Sequence, residues 1–419
     1  MLSLSQTSTA ATRTHQLANG ITIVAEPMPG KRAAAWAFLI PAGSATEPPG
    51  REGLTSVLEG LSYRGAGGRN SRELSDALDD LGIDRGGGSD VEYTTYGGAT
   101  LGDYLADALT VYADIIRRPQ LPADEWEAQR DLALQALDSL EDAPARKMFV
   151  QLRRLYFPDN YGRSPYGTRE GLNALTLEDL RRDHAARFRP AGAIIALAGN
   201  LDFEAIVSHL ETLFGDWQGA GPKAEQPHPV PQPVYHHIVQ ETAQEQIGVA
   251  YPGVPSTDPD FYNHRVATSV LSGGMGARLF TEVREKRGLV YSVSASAATL
   301  RGCGFNLAYA GTTPERSQET LDVLIGELQR IADGVTPDEV ERAKIGMLSS
   351  LVMQEESSRA RAGAIARDQF MLGRVRSLDE ITEAINAVTP DTIAAFYAAH
   401  PPRDFTVVTL GPKELTVPR

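Results

Sequence analysis

Residues 55–60 read TSVLEG and residues 268–273 read TSVLSG, one phrase written twice at a spacing of 213, with a carboxylate in the first copy and a hydroxyl in the second. The spacing recurs. NALTLEDLRRDHAARFRP from Asn173 is answered by NAVTPDTIAAFYAAHPP from Asn386, again 213 positions on, and two similarities that share one offset argue for duplication of a whole domain. The stretch GDWQGAGPKAEQPHPVPQPV (Gly215–Val234) is rich in Gly, Pro and Gln with no apolar period, which reads as a linker at 218–233 between an N-terminal repeat, 1–217, and a C-terminal repeat, 234–419. Each copy runs from an extended apolar segment through two helices and further extended segments to long helices and a last strand, such as Ala193–Leu197 or Phe405–Leu410. That order predicts an α+β fold of two homologous domains, each a mostly antiparallel sheet covered by helices.

Within the first phrase, Leu54, Val57, Leu58 and Leu61 recur at i, i+3, i+4 and i+7, the stripe of a helix packed on a sheet. Ser56, Glu59 and Gly60 fall off that stripe, so Glu59 is expected as a solvated helix carboxylate. In the second copy Ala267, Val270 and Leu271 keep the stripe, Ser272 takes the place of Glu59, and Gly273–Gly274 supply a helix end.

Composition narrows the function classes. The chain has 419 residues, 42% hydrophobic and 22% charged, with 54 acidic against 40 basic side chains and a net charge of -14. An acidic chain without a Lys/Arg run repels phosphate backbones, which argues against a nucleic-acid partner. The one cysteine, Cys303, can form neither an internal disulfide nor a Cys-built zinc cage and reads as a small buried hydrophobe. MLSLSQTSTAATRTHQL lacks the basic start and apolar run of a signal peptide, and no stretch reaches the roughly 20 apolar residues of a membrane span. The expectation is a soluble cytoplasmic protein without a membrane partner, a periplasmic home remaining open if a leader was removed.

On the first helix the chain resembles the pitrilysin and insulin-degrading-enzyme family of zinc metallopeptidases, in particular the bacterial and mitochondrial processing-peptidase branch. GLTSVLEGLSYRG (Gly53–Gly65) is similar to that family's metal-binding helix. There a His, two residues, then Glu and His place two imidazoles one turn apart on zinc, while the Glu activates the bound water. The resemblance puts Ser56 and Gly60 at the two histidine positions and Glu59 at the general base. QRDLALQALDSLEDAP (Gln129–Pro144) is similar to the run that carries the third ligand, a glutamate, and puts Ala136 in its place. No ligand stands at any of the three positions. His15, His184, His209, His228, His236, His237, His264 and His400 include no i, i+4 pair, and adjacent His236 and His237 alternate faces if extended, one toward solvent and one packed. The expectation is no metal bound by this chain.

The second repeat carries LFTEVREKRGLVYSVSA (Leu279–Ala297), which looks like the opposing half of the family's active site, where an Arg and a Tyr seven residues apart hydrogen-bond the substrate backbone. The resemblance assigns these to Arg284 and Tyr291, donors suited to an oxygen that gains charge. Without it, Arg284 reads as a surface residue paired with Glu282 or Glu285, and Tyr291 as a half-buried strand residue. Near here the repeats align at an offset of 206, Arg72 with Arg278 and Gly82 with Gly288, which sets Arg284 against Leu78 and Tyr291 against Arg85. The pair belongs to the second copy only.

GAGGRN (Gly65–Asn70) and SGGMGAR (Ser272–Arg278) match neither GxxxxGK[ST] nor GxGxxG and read as hinge or cap. Resemblance adds Gly273, Gly274 and Gly276 as weaker candidates for peptide contact. RGGGSDVEYTTYGGAT (Arg85–Thr100) reads as an edge-type strand.

In the processing-peptidase branch, active sites are assembled between two chains. The resemblance therefore implies a non-catalytic, substrate-binding subunit that gives Arg284 and Tyr291 in trans to a homologous, histidine-bearing chain, with zinc in that partner. The alternatives are a proteolytically silent scaffold of the same fold and an independent enzyme built on Glu59.

Overall fold

The computed structural model describes residues 12–229 and 233–418. The N-terminal leader reading through residue 11 and linker positions 230–232 lie outside the described residues. The first repeat contains β1 (Arg13–Gln16), β2 (Thr22–Pro27), β3 (Ala33–Ile40), α1 (Leu54–Ser62), β4 (Gly65–Ala66), β5 (Arg69–Asn70), α2 (Ser71–Asp80), β6 (Asp84–Ser89), β7 (Thr94–Leu101), α3 (Leu105–Arg117), α4 (Trp126–Asp138), α5 (Pro144–Tyr156), α6 (Arg169–Ala174), α7 (Leu177–Arg187), β8 (Ile194–Gly199) and α8 (Phe203–Phe214). The second contains β9 (Val234–Val239), β10 (Glu245–Gly253), α9 (Phe261–Ser272), a π-helix (Phe280–Glu285), β11 (Val290–Leu300), β12 (Cys303–Thr312), α10 (Ser317–Arg330), α11 (Pro337–Glu355), α12 (Ser358–Leu372), α13 (Leu378–Asn386), α14 (Pro390–Ala399) and β13 (Thr406–Gly411).

The sheets repeat one topology. The first is ordered β1-β2-β8-β3-β7-β6 and the second β11-β12-β10-β13-β9. In each, the parallel pair has one register: Thr22 lies opposite Ile194 in β2/β8, and Val234 opposite Thr406 in β9/β13, both partners moved by 212 residues. The other pairings are antiparallel. The α+β reading holds, and the duplication extends to strand register.

The compact units do not follow the linker. One comprises residues up to 137, 163–224 and 354–376; the other comprises 138–162, 225–353 and 377–419. Helix α5 of the first repeat thus belongs to the second unit and α12 of the second repeat to the first. The two helices begin 214 residues apart, at Pro144 and Ser358, so equivalent helices have been exchanged.

In the first unit, Ile23, Trp36, Phe38 and Tyr96 pack with Leu58, Leu109, Tyr112 and Phe214 on one side of the sheet. On its other side, Val24, Ala37, Leu39, Ile194 and Ala196 meet Ile365, Ala366 and Phe370 of α12. Arg361 of α12 places its fork on the Glu26 carboxylate with contacts of 2.6–2.9 Å, both groups buried. In the second unit, Ile247, Val249, Tyr251 and Val407 pack with α9, α10 and α14. Helix α5 covers the other side, Phe149 against Tyr309 and Tyr156 against Phe305. Gly248 admits it closely: a Cβ there would lie 2.0 Å from Met148 Sδ.

Two local expectations change. Arg85–Thr100 is a hairpin of β6 and the interior strand β7, because Asp90 makes a turn: its side chain accepts from Val91 N–H at 2.6 Å and its N–H meets the Tyr93 carbonyl at 2.9 Å. Gly65–Asn70 is the hairpin β4–β5, turning at Gly67 and Gly68 with φ of 61° and 87°. Its last residue, Asn70, also caps α2 in a capping box with Glu73.

Arg361→Ala leaves the buried Glu26 carboxylate without its cation and with the Thr12 hydroxyl as its donor, and we expect a loss of about 3–5 kcal/mol in urea denaturation, with Glu26→Leu/Arg361→Met recovering most of it. Equal instability of the single and double variants would contradict this account. Residues 1–217 expressed alone lack α12, bare the Val24/Leu39/Ile194 face, and are expected to aggregate; co-expression with 218–419 should return soluble material.

Candidate functional site

Helix α1 is held at its start by Glu47, whose carboxylate accepts from the N–H groups of Gly53 (3.1 Å) and Thr55 (2.7 Å). Negative charge there complements the helix dipole, although burial raises the Glu47 carboxyl above the usual carboxylate range. Leu54, Val57, Leu58 and Leu61 are buried as the stripe predicts. Thr55 Oγ1 accepts from Arg187, itself forked on Asp183. These anchors fix the direction in which Ser56, Glu59 and Gly60 project.

Glu59 departs from the expected solvated carboxylate. It is half-buried, no hydrogen-bond donor or cation among the described residues meets its carboxylate, and burial pushes its pKa up to about 7. Its neighbours are phenols: burial, and to a lesser degree the Glu59 carboxylate, makes Tyr63, Tyr96 and Tyr112 harder to ionise. Those rings pack together, Tyr63 with Tyr96 at 5.8 Å and with Tyr112 at 6.4 Å between centroids, and Trp36 meets Tyr112 at 5.0 Å. Tyr112 donates to the Gly97 carbonyl and Ser62 to Tyr96.

Gly60 faces Gln129 of α4: a Cβ at Gly60 would lie 2.1 Å from Gln129 Nε2. The amide occupies the room a side chain would take there and must swing aside for one to enter. Ala136, seven residues farther along α4, is exposed and offers a methyl group. Zinc requires imidazole, thiolate or carboxylate donors, so a hydroxyl at Ser56, a hydrogen at Gly60 and a methyl at Ala136 do not fit the ion. Among the described residues no group of three His, Cys, Asp or Glu side chains converges in a manner that could hold a metal. His236 is exposed while His237 packs with Nδ1 2.8 Å from Thr409 Oγ1, the alternation expected.

In the second unit, Arg284 and Tyr291 each sit on a one-residue irregularity. The Lys286 N–H bonds Thr281, five residues back, and the Leu289 N–H bonds Val283, six back, whereas the equivalent Ile83 N–H in the first repeat bonds Leu78, five back. The π-turn therefore puts Val283 in the place of buried Leu78 and turns Arg284 outward. The repeat-equivalent glycines close both turns in the left-handed region, Gly82 with φ of 59° and Gly288 with 62°. Glu282 is engaged by Lys286 (2.6 Å) and Arg287 (2.9 Å), so the expected pairing of Arg284 with it is not made. Arg284 lies over the Phe280 ring at 5.0 Å. Tyr291 occupies a register shift: Val290 pairs with Thr312 and Ser292 with Gly311, leaving it as the extra residue of a bulge. It is 67% exposed, not half-buried.

The glycine loop lies between α9 and the π-helix. Gly273 caps α9, Gly274 has φ of 156°, and the Gly276 carbonyl accepts from Arg342 at 3.2 Å. Arg278, forked on Glu339 at 2.6 and 2.9 Å, ties the loop's end to α11. All three glycines are exposed, beside Met275 at the tip.

Residues 22–168 match the insulinase (peptidase family M16) model and residues 174–347 the peptidase M16 inactive domain model. A protein of Streptomyces coelicolor described as an uncharacterized zinc protease is 30% identical over 395 residues, covering 90% of this chain and 85% of the relative. The chain belongs to the M16 peptidase family. A Bacillus subtilis M16 relative, also described as an uncharacterized zinc protease, is 27% identical over 402 residues, 94% of this chain and 97% of its own. The M16 fold recurs in the solved peptidase M16 inactive domain from Pseudomonas fluorescens, with a TM-score of 0.88, 23% identity and coverage of 97% and 100%. It recurs again in a protease from Helicobacter pylori, with a TM-score of 0.86, 18% identity and coverage of 96% and 100%. No helix among the described residues is long and apolar enough to cross a membrane.

Sequence reasoning missed Gln129 and the three tyrosines. Gln129 stands two helical turns before Ala136 on one face of α4, a signal that spacing alone carried. The tyrosines come from the residue after α1, from β7 and from α3, and converge only in the fold.

Glu59 supplies a pH test. Its pKa in the folded chain is raised from an ordinary 4.5 to about 7, so the folded chain retains a proton the unfolded chain releases, and stability falls as pH rises from about 4.5 through 7. Glu59→Gln should remove that fall and be more stable than the parent at pH 8, by on the order of 1–3 kcal/mol. Parallel melting curves at pH 5 and pH 8 check it; an identical pH dependence in both proteins would overturn the assignment.

Proposed function

We propose that this M16 chain is the non-catalytic, substrate-binding subunit of a heteromeric zinc metallopeptidase. The observation that carries the reading is a contrast between its two repeats. The three positions that would ligate zinc carry no donor able to do so, with Gln129 beside Gly60, while Arg284 and Tyr291 are exposed on a π-turn and a bulge. A guanidinium and a phenol unclaimed by carboxylates are free to donate to peptide carbonyl oxygens, and they hold an extended substrate in register while stabilising charge that grows on the attacked carbonyl. The partner, a homologous chain with the histidine pair, holds the zinc that supplies the activated water. In this division Arg284 and Tyr291 bind and polarise, Gly273, Gly274 and Gly276 border the peptide, and Glu59, uncharged below about pH 7, takes no proton.

The reading predicts substoichiometric zinc in the purified chain and no peptide hydrolysis by it alone. With the partner added, Arg284→Ala should lower kcat/KM by about 10²–10³-fold, and Tyr291→Phe by a similar or smaller factor. Unchanged turnover in both variants rejects the trans role and leaves the silent scaffold.

A further inference from the structure

Turns closed by i+5 hydrogen bonds are rare and confined to single turns, so the wide turn under Arg284 needs a cause in the residues around it. Its backbone leaves one carbonyl to be satisfied from elsewhere. In an α-turn the Glu282 carbonyl would accept from the Lys286 N–H; here that N–H goes to Thr281, and Arg287 Nη1 donates to the Glu282 carbonyl instead, at 2.7 Å. The same nitrogen lies 2.9 Å from Glu282 Oε2, so one guanidinium holds the main chain and the side chain of one residue. Lys286 meets the other carboxylate oxygen at 2.6 Å, and Lys286 and Arg287 together hold the Glu282 carboxyl below the usual carboxylate range. The two cations are not equivalent. Residues four apart face each other on an ordinary helix, so Lys286 reaches Glu282 in either winding. At 100° per residue the fifth residue lies about 140° round the axis, so the Arg287 contact belongs to the wide turn.

The first repeat is the control. At the 206 offset Asp80 stands for Lys286 and Leu81 for Arg287, so both cations are missing. Asp76, the counterpart of Glu282, pairs backward with Arg72, and α2 runs to Asp80 as a regular helix with Leu78 inward. The entry to the turn differs as well: Arg278, the counterpart of Arg72, is forked on Glu339 and donates to the Gly334 carbonyl at 2.8 Å.

We infer that Arg287 is a positioning residue: by clasping the Glu282 carbonyl and carboxylate it selects the wide winding that keeps Val283 in the core and Arg284 at the surface, over the Phe280 ring. Its consequence for peptide hydrolysis rests on the role of Arg284 in the functional reading above; the clasp itself does not. Without Arg287 the Glu282 carbonyl takes back the Lys286 N–H, the turn tightens, and position 284 moves toward the inward place that Leu78 holds in the first repeat. Surface ion pairs are worth little singly. This one matters because it is made in only one of two windings of a short segment, together with a main-chain bond that the other winding does not need.

The test uses the full chain with Cys303→Ala, which removes its one native thiol, and adds either Val283→Cys or Arg284→Cys; the probe is the rate of alkylation by N-ethylmaleimide. With Arg287 in place, Arg284→Cys should react fast and Val283→Cys slowly. Adding Arg287→Met should slow the first and speed the second, each by roughly 3- to 10-fold. Lys286→Met removes the same charge and should move either rate by less than about 2-fold, while Arg287→Lys should restore most of the difference. General loosening speeds both thiols, so opposite changes at adjacent positions mark a change of winding. Thiols that speed together, no change with Arg287→Met, or an equal shift with Lys286→Met overturns the proposal. In turnover with the zinc-bearing partner, Arg287→Met should lower kcat/KM by roughly 3- to 10-fold, Arg287→Lys by less, and Arg287→Met should add nothing in an Arg284→Ala background; an equal loss in both backgrounds overturns the positioning role. No partner enters the thiol assay, so the two readings fail separately. Opposite thiol shifts with unchanged turnover in Arg284→Ala remove the trans role and keep the clasp; reduced turnover in Arg284→Ala without thiol shifts does the reverse.

Discussion

A sheet that is apolar on both faces needs cover on both, and here the second layer of each unit is a single helix taken from the other repeat. Val24, Leu39 and Ile194 have α12 above them, and Gly248 with its neighbours has α5. Everything functional stands on those sheets. Helix α1 keeps its seat because the sheet beneath it is rigid, and β11 keeps its register because β12 and β10 behind it are held. The Arg361–Glu26 pair is the polar part of this closure. A buried ion pair adds little net stability once both charges are desolvated, yet its forked geometry admits one placement of α12 along β2. Apolar packing makes the helix bind, and the pair fixes where it binds.

How much could be read from the letters depends on the range of the interactions. The duplication, the α1 stripe, the cap at Gly273 and the alternation of His236 with His237 are local patterns, and the structure keeps them. The exchange of α5 and α12 was not legible, because equivalent helices have equivalent periodicity and nothing in either says whose sheet it covers. Glu59 was misjudged for a related reason. Helical spacing places it off the packed stripe, but its burial comes from Tyr96 and Tyr112, which lie on β7 and α3 and approach only after the sheet has formed. Asp90 shows a smaller version: the turn that splits residues 85–100 rests on one side chain bonding its neighbour.

Arg284 and Tyr291 show how one template produces a core residue in one repeat and a surface donor in the other. At the aligned position the first repeat has Leu78, buried among apolar neighbours. Arg72/Arg278 and Gly82/Gly288 keep one offset, so no residue is added; the π-turn winds the same residues differently, so Val283 fills the core and Arg284 faces out. Inserting one residue into the strand does the same for Tyr291. Neither device changes the composition of the segment, so neither is visible as hydrophobic pattern. Both irregularities are flanked by regular elements, α9 before the π-turn and β11 paired with β12 after the bulge.

The electrostatics of α1 complete the contrast. A carboxylate beside a zinc ion is stabilised as an anion; the carboxylate at Glu59 has no cation near it, stands among phenols, and holds its proton up to about pH 7. Under the proposed reading, a side chain that beside a metal would act as a base is here a weak acid. Under that reading, histidines at Ser56 and Gly60 would not by themselves make a metal site. Gln129 must first leave the space beside Gly60, Ala136 contributes no third donor, and only an ion bound by all three positions would draw the proton from Glu59. Under the proposed reading the zinc-site positions are spread over two helices and four residues, whereas the exposure of Arg284 and Tyr291 rests on one π-turn and one bulge residue.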